Sequence, residues 1–412
     1  MADIRNPERP ARDIERPPAP LPLPTAVAGL AAAVLAAILF MFYGLAQGLL
    51  FLVALGLGVA LYHARFGFTS AFRQLMAVGQ GETLRAHMLM LAVASLLFAP
   101  LMAAGTTVFG GPLTGYVFPV GLSVAFGGFI FCIGMQLGGA CASGSLYTVG
   151  SGQTSILITL AGFVIGSVWG AHDFGFWLQP AFVWQTVSLA DTAFGYTGAL
   201  IFQAIIIGTI VTATYAVERR LNPPPRVGPP SERGWVRVLR GTWPLWVGAL
   251  VLAALNAATL ALSGKPWGIT SAFALWGSKL LAATGADVGS WYYWSGPHAG
   301  GLSVPILADR TSVMDIGIIF GAMAASAWGG TFAIARRIPW RIVIARVLGG
   351  ILMGYGARIA FGCNIGAYFG GIASFSLHGW LWGVVGLAGT VIGIKLRPLF
   401  GMGVPKLTDS SC

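Results

Sequence analysis

The chain has 412 residues, of which 56% are hydrophobic and only 9% charged, against roughly 25% charged in an ordinary soluble domain. That balance excludes a set of soluble domains and points to one polytopic membrane domain. The formal net charge of +11 does not argue for nucleic acid, because nearly all the basic residues lie between apolar runs, where they report topology. Four cysteines, three of them in apolar sequence and none in a CxxC pair, supply no disulfide framework and no redox motif. No cofactor or nucleotide-binding motif is present.

In chain order, residues 1–24 hold four arginines, four acids and seven prolines, a composition that predicts a disordered tail. The apolar run that follows is too long for the core of a cleaved signal peptide. Thr25 to Leu61 is about twice the length of one span. It divides near Gly44–Gly48 into an extra N-terminal helix over 25–45 and a first repeat that begins at 46. His63 and Arg65 end the second helix. A short block, Gly67-Phe-Thr-Ser-Ala-Phe72, follows with Arg73 and Glu82 near its exit. Further spans are expected at 84–104, 115–137, 153–171 and 195–218, closing the first repeat at 218.

Residues 219–242 form a polar linker with six arginines and the run Pro223-Pro224-Pro225. The second repeat occupies 243–397. It holds a span at 243–262, the short block Gly268-Ile-Thr-Ser-Ala-Phe273, a loop rich in Trp and Tyr up to Arg310, and spans at 312–334, 339–360 and 376–394. Residues 398–412 are a C-terminal tail. The fold class expected is an all-α polytopic membrane protein of about ten spans.

The halves are related. Gly127 to Gly152 reads GGFIFCIGMQLGGACASGSLYTVGSG, and Gly349 to Gly371 reads GGILMGYGARIAFGCNIGAYFGG; the two align without a gap at an offset of 222. Gly127 falls on Gly349, Gly134 on Gly356, Gln136 on Arg358, Cys141 on Cys363 and Gly144 on Gly366. The two short Thr-Ser-Ala-Phe blocks match at an offset of 201. With ten spans both termini lie on one side, together with the arginine linker, Arg336-Arg337-Arg341 and Lys395-Arg397-Lys406; the positive-inside rule makes that side cytoplasmic. The loops 105–114 and 172–194, placed outside, contain no Lys or Arg. The first repeat then starts with an inward span and the second with an outward one, so the repeats are inverted. Inverted repeats with interrupted helices place a transport site near the midplane.

Each cysteine block ends a span in glycine, presents a cysteine and opens a short segment with small polar residues: Ser143, Gly144 and Ser145 after Cys141, Asn364 and Gly366 after Cys363. Such a segment is too short to cross and should re-enter, which lipid allows only inside protein or beside a cavity. Its N-terminus attracts anions, and glycine admits close approach. The candidate path therefore comprises Cys141, Cys363, Arg358, Gln136, Ser143, Gly144, Asn364, Gly366, Gly67 and Gly268. Arg358 is read as an anion counter-charge, the structural alternative being a tie between helix-end carbonyls. Cys132, whose repeat mate is Gly354, is read as packing, and Cys412 as incidental. Arg85 and His87 are read as snorkelling or orienting groups. Trp291-Tyr-Tyr-Trp294 is read as an interfacial anchor. His298 and His378 are expected at the outer edges, with no spacing for a metal.

The run Gly134-Met-Gln-Leu-Gly-Gly-Ala-Cys141-Ala-Ser-Gly-Ser-Leu-Tyr147, with Gly356-Ala-Arg-Ile-Ala-Phe-Gly-Cys363-Asn-Ile-Gly366, resembles the paired signature of the YeeE/YedE family over about residues 46–397. The resemblance implies a bacterial inner-membrane transporter that takes up thiosulfate or a related sulfur compound, with thiols handing the anion along an hourglass path by hydrogen bonds. It makes Cys141 and Cys363 path residues and implies a cytoplasmic TusA-like sulfur carrier as a partner, for which this chain shows no motif. The family carries a third cysteine in the early block, where Gly67 stands here. The residues leave other readings open: the same fold moving sulfite, a polysulfur or a selenium species; a membrane enzyme using Cys141 and Cys363 for redox or persulfide chemistry; or a passive channel.

The charge distribution has a direct test. Single cysteines placed at Gly67 and Gly268 should be labelled from opposite faces of the membrane by an impermeant maleimide, Gly67 from the cytoplasm. Labelling of both from one face rules out the inverted arrangement.

Overall fold

The computed structural model describes residues 19–192, 194–223, 234–296, 298–334 and 338–406. Most of the expected N-terminal tail, the middle of the arginine linker, Arg336-Arg337 and Cys412 lie outside the described residues. The described chain is helical, with only isolated β-bridges between loops. This is the solution lipid imposes, because a helix satisfies its own backbone hydrogen bonds where water is absent.

The helices run in order α1 (Pro22–Ile38), continued by a π-helical turn to Tyr43, α2 (Leu45–Ala64), α3 (Phe68–Val78), α4 (Glu82–Ala104), α5 (Leu122–Gly138), α6 (Ala142–Gly150), α7 (Ile156–His172), α8 (Phe174–Trp177) and α9 (Gly195–Leu221). Then come α10 (Gly234–Arg240), α11 (Leu245–Ser263), α12 (Thr270–Ala282), α13 (Tyr292–Ser295), α14 (Arg310–Trp328) and α15 (Trp340–Ile359). A π-helical segment Asn364–Gly370 leads into α16 (Gly371–Ala373), and α17 (Leu377–Leu396) is last. Among the described residues nine helices are long and apolar enough to cross a membrane, and α7, of 17 residues, is a shorter apolar helix. The division of the first apolar run falls at Gly44, whose φ of 89° ends the helical path.

The core is built on glycine contacts between helices far apart in sequence. α5 packs on α15 and α17, and α15 packs on α7. A Cβ on Gly127 would lie 2.7 Å from the Gly356 carbonyl oxygen, and one on Gly349 only 2.3 Å from the Gly138 nitrogen. These backbones touch directly, which only glycine allows. The contacts also cross over: Gly127 meets Gly356 while Gly134 meets Gly349, each glycine meeting the counterpart of the other. The same exchange appears in the pairs α2–α14 and α4–α11, and in α12–α7 and α3–α17.

Two faces can be told apart. At one, the end of α2 meets the start of α11: His63 Nδ1 lies 2.8 Å from the Gly241 carbonyl, and the Trp243 amide donates to the His63 carbonyl at 2.9 Å. Arg85 pairs with Glu218 here (2.8 Å), and Arg397 reaches the Gln136 carbonyl (2.8 Å). This is the basic face. At the other, loops interlock: Val108 N–H donates to the Ala261 carbonyl, Thr114 N–H to Gly264, and Leu377 N–H to Val187. Gly67 therefore opens beside the start of α11, and Gly268 beyond its end.

The snorkelling or orienting expectation is corrected for His87, while Arg85 stays part-exposed at the head of α4. Arg85 is tied to Glu218 and lies over the Tyr215 ring at 4.1 Å. His87 is fully buried, its ring 4.7 and 4.4 Å from those of Phe66 and Phe68.

The glycine seam makes a stability prediction. Gly349→Ala drives a methyl into the α5 backbone and should destabilise the fold by at least about 1–3 kcal/mol. Gly208→Ala, where nothing lies within 4 Å, should be neutral. Detergent-solubilised protein followed by thermal unfolding on size-exclusion chromatography separates the two; equal melting overturns the seam.

Candidate functional site

Two broken helices build the centre of the molecule. α5 stops where Gly139 turns to φ +86°, and α15 stops where Phe361 and Gly362 adopt φ of +59° and +153°. Positive φ is easy for glycine but strained for phenylalanine. Phe361 is held there by stacking on Phe118, with centroids 5.3 Å apart and planes 10° apart. After each break a cysteine caps a short helix. The Cys141 sulfur accepts from the Gly144 amide at 3.4 Å and lies 3.5 Å from Ser143 Oγ. The Cys363 sulfur accepts from the Ile365 amide, also at 3.4 Å. Both cysteines are 1% exposed and are free thiols. The helix each one caps touches the other. A sulfur that accepts from its own helix keeps its S–H to donate elsewhere.

Beside Cys363, on the side away from the basic face, lies a cavity of about 640 Å³. Gly268, Arg358, Gly362 and Gly366 line it with Lys265 and Arg310. Arg358 is 7% exposed. Its Nη1 donates to Tyr293 Oη and its Nη2 to Thr270 Oγ1, both at 2.5 Å, while Nε has no partner among the described residues. Arg310 donates to Ser263 Oγ (3.0 Å), to the Lys265 carbonyl (3.2 Å) and to Tyr116 Oη (3.2 Å). Among the described residues no carboxylate lies within ion-pair distance of Arg358, Arg310 or Lys265. The one acid in the lining, Asp309, is occupied by the Ser312 amide and hydroxyl at 2.7 and 2.6 Å. Burial, and after it the Arg310 guanidinium, lower the pKa of Lys265. His298 is lowered to about 4 by burial, then by Arg358 and Lys265, so near neutral pH it adds no charge. Three cations against one carboxylate in the same wall, none of them in an ion pair with it, leave a net positive lining that suits an anion.

The structure sorts the sequence candidates into two groups. Gly268, Arg358 and Gly366 share the cavity, with Cys363 and Asn364 directly behind it; the Asn364 side-chain oxygen is buried without a partner among the described residues. Cys141, Ser143 and Gly144 lie in the other group with Gly67, where an added Cβ would sit 3.9 Å from the Tyr147 hydroxyl of the same short helix. Gln136 reaches neither thiol. It donates to the Thr69 carbonyl at 3.3 Å and faces Arg73. Gln136 and its repeat counterpart Arg358 thus hold the corresponding threonines, Thr69 and Thr270. Cys132 packs on α17, 2.9 Å from a Cβ built on Gly386.

Sequence reasoning missed Lys265, Arg310, Tyr116, Tyr293 and His298. The aromatic anchor reading is corrected for the last two of its four residues: Tyr293 and Trp294 are 1% and 6% exposed while Tyr292 is 52% exposed, because Tyr293 is the partner of Arg358 and Trp294 donates to Ser278 at 3.0 Å. His298 lines the cavity, and His378 is buried 2.6 Å from Ser376 Oγ. A usable signal existed: Lys265 and Arg310 are cations in the loops that the positive-inside rule leaves poor in charge.

A profile described as sulphur transport matches residues 63–392. The chain is 27% identical over 360 residues to the thiosulfate transporter TsuA of Spirochaeta thermophila, covering 82% of this chain and 93% of that one. It is 25% identical over 347 residues to TsuA of Escherichia coli, covering 82% and 90%. The probable transporter YedE of E. coli is 32% identical over 141 residues, a match that spans only 34% of either chain. With a family match over most of its length, nine candidate spans among the described residues and a cation-lined cavity behind which a thiol lies, the chain belongs to the sulphur transport (YeeE/YedE) family of multi-pass membrane transporters.

Proposed function

We propose that this protein imports a small sulfur-containing oxyanion, thiosulfate foremost, across the bacterial inner membrane. The observation that carries the reading is Arg358, a buried cation without a carboxylate partner, in the wall of the cavity that also includes Gly362 and Gly366, on either side of Cys363. Burying such a charge costs several kcal/mol unless a counter-ion compensates it, and an anion in the cavity does so. The basic face is then cytoplasmic with both termini, and residues 46–218 and 243–397 are inverted repeats whose short helices re-enter from opposite sides.

The anion is collected by Lys265 and Arg310, held by Arg358, and passed to Cys363 and then to Cys141. Each thiol is a weak, polarizable donor. It holds the anion briefly without trapping it, as conduction requires. Ser143, Gly144, Asn364 and Gly366 supply the close backbone and hydroxyl contacts. Beyond Cys141 the path passes Gly67, where Tyr147 offers a hydroxyl in place of a third thiol. A TusA-like carrier receiving the sulfur compound at the basic face completes the scheme. A second cargo, sulfite, is favoured by Gly67 alone, since one soft donor fewer suits a harder anion.

Uptake of radiolabelled thiosulfate and sulfite by cells or proteoliposomes tests the scheme. Cys141→Ala and Cys363→Ala should each lower uptake more than about 10-fold while protein still reaches the membrane, the loss expected for a hydrogen bond to a charged group. Cys→Ser at the same positions separates simple donation from softness, and Cys132→Ala should be nearly silent. Wild-type rates in both alanine variants would falsify the thiol path.

Arg358→Ala should lower transport efficiency by about 10- to 100-fold, the equivalent of a lost charge-assisted contact. Arg358→Lys should recover part of it if charge alone matters. Parallel loss of folded protein and of transport would mark Arg358 as structural.

A further inference from the structure

Two buried titratable side chains take no part in this path. Asp315 in α14 and His87 in α4 are both 0% exposed. Neither carboxylate oxygen of Asp315 and neither ring nitrogen of His87 has a hydrogen-bond partner among the described residues. They occupy the same place in their helices, each the sixth residue and four after a threonine, in Glu82-Thr-Leu-Arg-Ala-His87 and Arg310-Thr-Ser-Val-Met-Asp315. The correspondence extends to those threonines: Thr83 donates to Gln74 of α3 at 2.7 Å, and Thr311 accepts from Ser271 of α12 at 3.0 Å.

Thr311 lines the cavity, so Asp315 follows one helical turn behind it on the same side of α14. Asp315 also lies within electrostatic reach of the Cys363 thiol. The other ionisable groups on segments packed against α14 are Cys141 and Tyr147 of α6, Tyr62 and His63 of α2, Lys279 of α12, and Arg237 and Arg240 of α10, with Asp309 at the head of α14. None of them forms an ion pair with Asp315. Around His87 the packed segments carry Arg73 of α3 and, on α9, Tyr196, Tyr215, Glu218, Arg219 and Arg220.

We propose that Asp315 is a proton-binding site coupled to passage of the anion, with His87 its counterpart nearer the basic face. The proposal rests on the transport reading above and adds its energy source. A carboxylate buried without a cation or donor is stable only with a proton bound. Ionised, Asp315 would repel an anion arriving at Cys363; protonated, it does not. Proton and anion therefore favour each other's binding, and the coupling is reciprocal. One proton binds the carboxylate from the cavity side for each anion admitted and leaves on the basic-face side, and no bond of the anion is made or broken. An anion that enters with a proton carries less charge against an inside-negative potential.

The test uses full-length protein in liposomes with thiosulfate as probe and the membrane potential clamped. Wild-type uptake should rise about fivefold or more when the outside is made acidic, and trapped pyranine should report lumen acidification on thiosulfate addition. Asp315→Asn should keep thiosulfate exchange within about twofold of wild type yet lose the stimulation, while Asp315→Glu keeps it. His87→Gln should blunt the stimulation, and full stimulation in that variant removes His87 from the pair. Wild-type exchange without pH stimulation or lumen acidification overturns the proposal, as does an Asn variant that responds like the wild type. If Asp315→Asn is not recovered folded, the pyranine signal of the wild type decides. No exchange by the wild type overturns the transport reading as well.

Discussion

Everything in this molecule hangs on the close approach of α5 and α15. Their backbones meet at Gly127–Gly356 and Gly134–Gly349 with no side chain between. In lipid there is little hydrophobic gain from bringing helices together, so association comes from van der Waals contact and requires small residues. Both helices then break just beyond the seam. That sets the two following segments, capped by Cys141 and Cys363, against each other at the centre. Larger residues in the seam would part the helices and separate the two capped segments, even with both cysteines present.

The cavity beside Cys363 is electrically simple. Hydroxyls of Tyr116, Ser263, Thr270 and Tyr293 hold the guanidinium groups of Arg310 and Arg358 in place. Hydroxyl acceptors fix the geometry without cancelling the charge, as a carboxylate would. Asp309, the acid at hand, is committed to capping α14. Its charge remains, but with three cations to one carboxylate in the wall the net field stays positive and open to a ligand.

Much of this fold was legible from the sequence because bilayer constraints are strict. Apolar length located the helices, and glycine-then-cysteine spacing located both breaks. The gapless offset also paired Gln136 with Arg358, which do hold matching threonines. What could not be read was the cavity wall. Lys265 comes from a loop, Tyr293 from the one-turn helix α13 and Arg310 from the very start of α14, where no periodicity says which side chain folds inward. Trp291-Tyr-Tyr-Trp294 has the composition of an interfacial belt, and only the buried hydrogen bond of Tyr293 with Arg358 shows otherwise. The sequence gives a cation's position along the chain; its counter-charge, or the lack of one, is a property of packing.

The two aligned cysteine blocks differ in charge at one decisive place. Where one presents Arg358 to a cavity, the other has Gln136 turned to a carbonyl. On the import reading proposed above, a carrier with such unequal ends would have unequal half-saturation concentrations on its two sides, low at the cavity and high at the basic face. The asymmetry cannot by itself accumulate anything, since binding energy gained on arrival must be given back on release. On that reading it would let the protein load from a dilute medium and unload into a concentrated compartment without being stalled by its own product.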